Sequence, residues 1–327
     1  MDYYSKFMVK PGTTVKLNKI DPDNTAGFKN KNEALEILAA NQKKLAELQY
    51  ELYAENKQSL LIVLQALDAG GKDGTINHVL SPMNPQGCRV HGFKAPTSEE
   101  LAHDFLWRIH LQAPKNGEVV IFNRSHYEDV LVARVHNLVS KKIWAQRYNF
   151  INGFEKMLAC NNTRIIKFFL YISKEEQLKR FESRLDEPEK HWKISAGDYS
   201  ERQYWDGYIE AFEEAMTKCS TDDAPWFIIP ANQKWFRNLA ISEIVVETLE
   251  SMKMKMPQPT VDINEIRKLI AVEKAKADNK KPSKAAPEKA KADNKKPSKA
   301  APGKAKADNK KPSKAAPEKA KPKKHKK

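Results

Sequence analysis

The stretch "SLLIVLQALDAGGKDGTI", residues 59–76, decides the fold. It opens with an apolar run over 59–67, which has the length and composition of a strand buried on both faces of a parallel sheet. The run leads directly into closely spaced glycines, after which "GTINHVLSPM" predicts a short helix. A buried strand that passes through a glycine-rich turn into a helix indicates an α/β protein.

The glycine loop nearly matches the phosphate-binding pattern G-x-x-x-x-G-K-[ST]. Ala66 stands in place of the first glycine, and Asp73 in place of the Ser or Thr. Backbone N–H groups in a tight loop before a helix bind anions, and Lys72 is placed to reach a phosphate. Asp68 and Asp73 flank this lysine with oxygens that suit Mg²⁺. The alternative is a plain glycine-rich turn with a solvated lysine, because glycine motifs are common.

Strands and helices alternate along the following two hundred or so residues. Apolar runs predict strands at 117–125, 164–173 and 226–230, and "CRVHGF" (88–93) is a candidate for a further strand. Helical spacing and a capping box predict helices at 32–57, 97–112, 141–160, 174–185, 199–218 and 233–254. Residues 1–30 read as an irregular lead-in, and the charged segment 186–198 as a mobile loop. The order predicts a three-layer α/β/α sandwich with a parallel sheet, whose ligands bind at the carboxyl ends of the strands.

A second polar cluster follows the strand predicted at 117–125. In "VVIFNRSHYEDVLVARV", residues 119–135, the side chains of Asn123, Arg124, Glu128 and Asp129 come just after the apolar residues. This is the usual place of a metal and phosphate site in P-loop proteins, and we expect it at the same sheet edge as the glycine loop.

Four ordered stretches resemble the motifs of the polyphosphate kinase 2 family. They are residues 68–74, with the family form D-[AG]-x-G-K-D-G, "FNRSHYE" at 122–128, "RLDEPEKHWKIS" at 184–195 and "PANQKWFRNLAI" at 230–241. The resemblance extends over roughly residues 45–255. It implies a P-loop kinase-like fold with a helical lid, and metal-dependent phosphoryl transfer between inorganic polyphosphate and a nucleotide.

The resemblance also implies roles for individual residues. Asp68 would help to hold Mg²⁺, Lys72 would grip phosphate, Arg124 would stabilise the transferring charge, and Arg184 would close over the reaction from the lid. The expected metal ligands are Asp68, Asn123 and Glu128, with Mn²⁺ as a second choice of ion. Further contacts with nucleotide or polyphosphate are expected at Gly70, Gly71, Asp73, Gly74, Thr75, Arg89, Lys94, Asn123, Glu128 and Lys193. A solvated surface position is the alternative for Arg89, Lys94 and Lys193.

Two positions depart from the commonest family pattern. Asn123 stands where most members have Asp, and Glu128 where many have Asn. This combination resembles the branch called class III, which phosphorylates both nucleoside mono- and diphosphates. The expected reaction converts AMP to ADP and ADP to ATP, reversibly, which would regenerate ATP. The alternatives are an ATP-dependent nucleotide kinase, which Asp73 disfavours, and a nucleic-acid-binding protein that acts through its basic tail.

The basic character of the chain belongs to its C-terminal part. The net charge is +15, and residues 273–327 contain 21 Lys and 6 acidic residues, so 36 basic and 36 acidic residues remain elsewhere. "EKAKADNKKPSKAAP" (273–287) recurs at 288–302 and, with Gly303, at 303–317. Because this repeat has no large apolar residue to bury, we predict a linker and a disordered tail over 259–327. The tail is either a polyanion-binding or a solubilising extension.

The remaining expectations concern the domains and the surroundings of the protein. The predicted units are an N-terminal extension and helix (1–58), a catalytic domain (59–258) with a lid near 184–200, and the tail. The three cysteines are widely spaced, and no apolar segment has the length of a membrane span. We therefore expect a cytoplasmic protein without a membrane contact, and a homo-oligomer, either a dimer or a tetramer.

Overall fold

Five parallel strands form one sheet in a computed structural model that describes residues 1–29 and 31–278. The strands are β1 (Ser59–Gln65), β2 (Cys88–Gly92), β3 (Val119–Asn123), β4 (Thr163–Tyr171) and β5 (Trp226–Pro230). Their order across the sheet is β2-β3-β1-β4-β5, and all neighbouring pairs are parallel. The predicted parallel sheet is therefore confirmed.

The central position of β1 explains its unbroken apolar sequence. All seven residues of this strand are buried, because neighbouring strands and helices cover it on every side. In the register of β1 with β3, Leu64 pairs with Asn123. The carboxyl ends of the two strands therefore lie side by side, and each is followed by one of the predicted polar motifs.

Two groups of helices flank the sheet and complete the three-layer sandwich. One group packs together from α1 (Tyr3–Phe7), α2 (Lys31–Glu55) and α11 (Lys234–Ser251), and the other from α6 (Val132–Val135), α7 (Lys141–Cys160) and α10 (Trp205–Cys219). The remaining α-helices are α3 (Lys72–Thr75), α4 (Ser98–Ala102), α5 (Trp107–His110), α8 (Lys174–Asp186), α9 (Ala196–Ser200) and α12 (Ile263–Asp278). Short 3₁₀ segments occupy Leu17–Lys19, His126–Asp129, Pro188–Lys193 and Glu201–Tyr204, and a π-helical turn occupies Ile76–Leu80.

The N-terminal lead-in is more ordered than its polar sequence predicts. Tyr3 and Phe7 lie one turn apart on α1, and both are buried. The Phe7 ring packs 6.0 Å from the ring of Phe236 on α11, and the Val9 N–H donates to the Trp226 carbonyl at 2.8 Å. The expectation of an irregular segment over 1–30 is therefore wrong at its start, because these apolar side chains cover the edge of β5.

The helix predicted over 97–112 is divided in two. The predicted capping box of Thr97 and Glu100 is present, and α4 ends at His103 with extended backbone. The Asp104 carboxylate then accepts the Leu106 N–H at 2.9 Å, and the Asp104 carbonyl accepts the Trp107 N–H at 3.1 Å. An aspartate that caps a new turn in this way explains why the helix restarts as α5 instead of continuing.

The segment after α8 and the segment after residue 260 also differ from the predictions. The expected mobile loop at 186–198 contains the 3₁₀ turn Pro188–Lys193 and the start of α9. The chain divides into a first unit, Met1–Thr260, and a second that begins at Val261 and contains the exposed helix α12. The predicted disorder of 279–327 lies outside the described residues. Within the described ranges, no helix is both long and apolar enough to span a membrane.

The packing of α1 predicts a measurable loss of stability when its core ring is removed. Phe7→Ala deletes a side chain that is 8% exposed, and we expect the free energy of unfolding to fall by about 3 kcal/mol. Urea denaturation measures the change, with Tyr50→Ala as the control, because Tyr50 on α2 is 57% exposed. A loss from Phe7→Ala as small as that of the control would show that α1 is not part of the core.

Candidate active site

Two glycines of the loop between β1 and α3 have no room for a side chain, because Ala66 lies against Gly70 and Arg237 lies against Gly71. A Cβ atom on Gly70 would lie 2.4 Å from the Ala66 Cβ atom. Gly71 has a φ of +106°, and a Cβ atom there would lie 1.9 Å from Nη1 of Arg237. Glycine is therefore required at both positions, at Gly71 because the backbone is left-handed and a guanidinium lies against it.

Two arginines from other elements contact this loop. Arg180 of α8 donates from Nη1 to the carbonyls of Ala69 (2.9 Å) and Gly70 (3.1 Å). Arg237 of α11 is only 2% exposed, and its Nε and Nη2 atoms donate to Oδ1 of Asn238 at 3.1 and 2.8 Å. Burial, together with the charge of Arg180, lowers the pKa of Arg237 to about 10, so its guanidinium remains protonated at neutral pH.

The buried charge of Arg237 lacks a carboxylate partner among the described residues. The hydrogen bonds of its guanidinium go to the amide oxygen of Asn238, which is neutral. Burying a charge costs free energy unless an opposite charge or a strong set of hydrogen bonds compensates for it. A phosphate bound in the adjacent glycine loop would supply that opposite charge.

Lys72 lies at the centre of the charged groups of the site. Its ammonium donates to the Ala66 carbonyl at 3.1 Å. Burial lowers the pKa of Lys72, and the nearby charge of Arg124 lowers it further. The carboxylates that act in the opposite direction are those of Asp68, Glu128 and Asp73.

The second polar motif meets the glycine loop at the carboxyl ends of β1 and β3. Nδ2 of Asn123 donates to Oδ1 of Asp73 at 2.9 Å. Arg124 places Nη2 3.3 Å from Oδ1 of Asp68 and Nη1 4.0 Å from Oε2 of Glu128. Burial raises the pKa of Glu128, although the charges of Arg124 and Lys72 oppose the rise. The structure thus joins two stretches that are about 50 residues apart in sequence.

The lid, residues 184–200, lies over the loop. Nζ of Lys193 is 3.6 Å from Oδ2 of Asp73. Nη1 of Arg184 is 3.2 Å from Oδ2 of Asp198 and 3.4 Å from the Lys193 carbonyl. Burial raises the pKa of Asp198, and the charge of Asp68 adds to the rise. Arg184 is therefore held by Asp198 of the lid, whose carboxylate lies close to that of Asp68.

Two cavities meet at this point, and they differ in charge. The larger is a cleft of about 1310 Å³ lined by eleven basic and four acidic side chains. The smaller has a volume of about 270 Å³, and its walls carry four carboxylates and the aromatic rings of His136, Trp205, Tyr208 and Phe212. Asp68, Arg124 and Asp198 line both cavities, so they mark the junction.

Most residues that the sequence predicted for the site line the large cleft. They are Asp68, Gly70, Gly71, Lys72, Asp73, Gly74, Lys94, Asn123, Arg124, Arg184 and Lys193. Glu128 lines the smaller cavity.

Two expected contacts are corrected by the structure. Thr75 is buried and its hydroxyl donates to the Gly71 carbonyl at 3.2 Å, so it stabilises the turn and does not face the cleft. Arg89 donates to Glu118 at 3.2 Å and to the Gln112 carbonyl at 2.7 Å. These bonds hold its guanidinium away from the cleft, which it does not line.

The sequence prediction missed three basic residues of the cleft, which are Lys31, Lys179 and Arg180. For Lys190, Lys234 and Arg237 the sequence leaves an anion contact and a solvated surface position open as alternatives, and all three line the cleft. Arg237 lies in the stretch 230–241, which the resemblance already singled out. Arg180 has no comparable signal, because its position over the loop depends on how α8 packs against the glycine turn.

The oxygen atoms around Lys72 suit a hard cation that also binds phosphate. Within residues 1–29 and 31–278, no group of three or more His, Cys, Asp or Glu side chains is arranged to hold a metal ion. Mg²⁺ usually takes only one or two protein carboxylates, and substrate phosphates and water complete its shell. Asp68 and Asp73 supply such carboxylates beside the loop, so the residues present fit this kind of ion.

Comparisons with known proteins agree with the geometry. A family model described as "Polyphosphate kinase 2 (PPK2)" matches residues 28–257. The "AMP/ADP-polyphosphate phosphotransferase" of Meiothermus ruber is 54% identical over 255 residues, covering 78% of this chain and 96% of the relative. The "ADP-polyphosphate phosphotransferase" of Rhodopseudomonas palustris is 45% identical over 267 residues, covering 78% and 92%.

A solved structure is similar as well. The crystal structure of polyphosphate kinase 2 from Arthrobacter aurescens TC1 is 42% identical, with a TM-score of 0.80, and the match covers 83% of this chain and 97% of that one. The family model, which matches residues 28–257, contains the glycine loop, the second motif and the lid in its matched region. The chain therefore belongs to the polyphosphate kinase 2 family.

Proposed function

We propose that this enzyme transfers phosphoryl groups between inorganic polyphosphate and AMP or ADP, giving ADP or ATP in a reversible reaction. The observation that carries the proposal is the buried, uncompensated charge of Arg237 against the glycine loop. It supports a site built for phosphate. The names of the relatives from Meiothermus ruber and Rhodopseudomonas palustris support these two substrates.

The large cleft is the proposed site of polyphosphate. Its eleven basic side chains exceed its four acidic ones, so the cleft attracts a polyanion. Lysines from the lid and from α11 lie in this lining, beside the glycine loop. A chain of linked phosphates would thus be bound from several sides, with one end at Lys72.

The smaller cavity is the proposed site of the nucleoside end of the acceptor. Trp205, Tyr208 and Phe212 give it apolar ring surfaces, which suit a planar base. Its carboxylates, such as Glu201, are acceptors for sugar hydroxyl groups. An acceptor held here would direct its phosphate toward Asp68 and Arg124, where the two cavities meet.

The chemistry at the junction needs positioning and charge neutralisation more than a nucleophile from the protein. The acceptor phosphate is already anionic at neutral pH, so no general base is required for it to attack in line. Lys72, Arg124 and the lid residue Arg184 would neutralise the charge on the transferring group and align it. A lid closed over the bound phosphates would also exclude water and so suppress hydrolysis.

Kinases of this family generally need a divalent metal. We propose Mg²⁺, with Mn²⁺ as the second choice, held by the expected ligands Asp68, Asn123 and Glu128 together with substrate phosphates, with the Asp73 carboxylate beside them. When bound, the ion would neutralise phosphate charge and hold the phosphates in a fixed arrangement.

We propose the cytoplasm as the location of the protein, because all three cysteines are free. We propose a homo-oligomer as its assembly.

The two alternatives gain less support. An ATP-dependent nucleotide kinase of the ordinary P-loop type uses a Ser or Thr hydroxyl on the metal. Here Asp73 replaces that residue, and the Thr75 hydroxyl is turned into the protein. Nucleic-acid binding through the basic repeats concerns residues that lie, apart from 273–278, outside the described part of the chain.

The proposed reaction predicts nucleotide phosphorylation without any ATP as donor. Incubating the protein with polyphosphate, Mg²⁺ and either AMP or ADP should give ADP or ATP, which chromatography and luciferase measure. Pretreating the polyphosphate with an exopolyphosphatase is the control, and it should abolish product formation. If neither nucleotide is phosphorylated by the folded protein, the proposal is wrong, and phosphorylation of AMP by ATP alone would favour the ordinary kinase.

Removing the charge of Lys72 predicts a large loss of activity. Lys72→Met should lower kcat/KM for polyphosphate by about 100-fold, because a cation aimed at the transferring phosphate stabilises mainly the transition state. Lys57→Met is the matched control, since Lys57 is an exposed lysine that does not line the cleft, and it should leave the rate unchanged. A Lys72→Met enzyme within a few-fold of the control would remove Lys72 from the reaction.

A further inference from the structure

A buried ion pair lies directly behind the second motif. Lys167 of β4 and Glu155 of α7 are 0% and 1% exposed, and Nζ of Lys167 is 2.6 Å from Oε2 of Glu155. Nζ also donates to the Tyr127 hydroxyl at 2.9 Å and to the Cys219 carbonyl at 2.6 Å. The pair therefore lies in a buried network that joins β4, α7 and the end of α10 to the segment after β3.

The second carboxylate oxygen of Glu155 binds that segment. Oε1 accepts a hydrogen bond from the Tyr127 hydroxyl at 3.0 Å and lies 3.1 Å from Nε2 of His126. An ionised carboxylate can only accept hydrogen bonds, so Nε2 of His126 is the donor in this contact. Burial alone would raise the pKa of Glu155, but Lys167 and His126 together hold it below its usual value. An ionised carboxylate thus binds two successive residues of the motif.

Those two residues lie between the catalytic groups of the second motif. Arg124 precedes them and Glu128 follows them, and both face the cavities. The Arg124 backbone has a φ of +62°, a left-handed conformation that is unfavourable for a non-glycine residue and persists only when its surroundings impose it. Anchoring His126 and Tyr127 on one oxygen atom is a physical reason for this backbone to remain in place.

Stability does not explain the network. Taking an ion pair out of water costs free energy, and well-packed apolar residues in its place are often as stable or more stable. The ion pair instead holds Oε1 of Glu155 in place as an acceptor for the Tyr127 hydroxyl and for Nε2 of His126. We infer that Glu155 is a positioning residue for phosphoryl transfer, whose side-chain oxygen sets the orientation of Arg124 through Tyr127 and His126. The inference rests on the proposed function.

Two double variants separate positioning from stability. Glu155→Gln with Lys167→Met removes both charges but keeps an oxygen that accepts from Tyr127 and His126. Glu155→Leu with Lys167→Met removes the same charges and the acceptor. We expect the first to retain kcat within about three-fold and the second to lose at least ten-fold, since displacement of a catalytic group by about 1 Å can cost 100-fold. KM for polyphosphate should change by less than about two-fold in both.

A matched control removes a different buried polar contact from the same strand. Ser59→Ala with Thr163→Val deletes the 3.0 Å hydrogen bond between these two side chains at the opposite end of β1 and β4. Its kcat should equal that of the wild type. Thermal unfolding of every variant shows whether a loss of rate reflects a loss of fold.

The outcomes distinguish this inference from the proposed function. Equal kcat in the two folded double variants, with an active wild type, overturns the positioning role alone. A wild type without polyphosphate-dependent activity overturns the function instead. If the variant with Glu155→Leu and Lys167→Met does not fold, Tyr127→Phe is used in its place, because that substitution removes only one oxygen atom. That variant should then lose kcat with an unchanged KM, and wild-type kcat would contradict the inference.

Discussion

A positive charge buried behind the glycine loop is the constraint on which the rest of the site depends. Arg237 is almost fully enclosed, its charge is met by a neutral amide, and it approaches the loop so closely that only glycine fits at position 71. A fold that retains such a group must gain an anion when it works, because a buried charge without compensation is costly. Arg180 holds the carbonyl side of the same loop, so the backbone is already arranged before any phosphate arrives.

The other charges extend this arrangement in two directions. On one side, basic side chains of the large cleft would neutralise the charge of a bound polyphosphate. On the other, aromatic rings and carboxylates of the small cavity would bind the nucleoside, as we propose. Asp68 and Arg124 stand between them, which places opposite charges where a phosphoryl group would pass. Behind Arg124, the buried carboxylate of Glu155 pairs with Lys167 and accepts the Tyr127 hydroxyl, and we propose that this network positions Arg124.

The sequence predicts those parts of the structure that local patterns control. Buried strands were identified from unbroken apolar runs, and the meeting of the loop with Asn123 and Arg124 followed from the parallel order of the strands. The sequence could not show the direction of a side chain once the chain had folded. Thr75 turns inward to its own helix, Arg89 is taken by Glu118, and the two arginines at the loop arrive from helices more than 100 residues away. The lead-in was missed because a few apolar residues in a polar segment give little periodicity.

The most direct test is a crystal structure of the protein with a short polyphosphate and no nucleotide, so that no transfer occurs. The account predicts an ordered phosphate chain in the large cleft, with oxygen atoms within hydrogen-bonding distance of the Lys72 ammonium and the Arg237 guanidinium. A polyphosphate chain ordered at another surface, with the glycine loop free of phosphate, would contradict it.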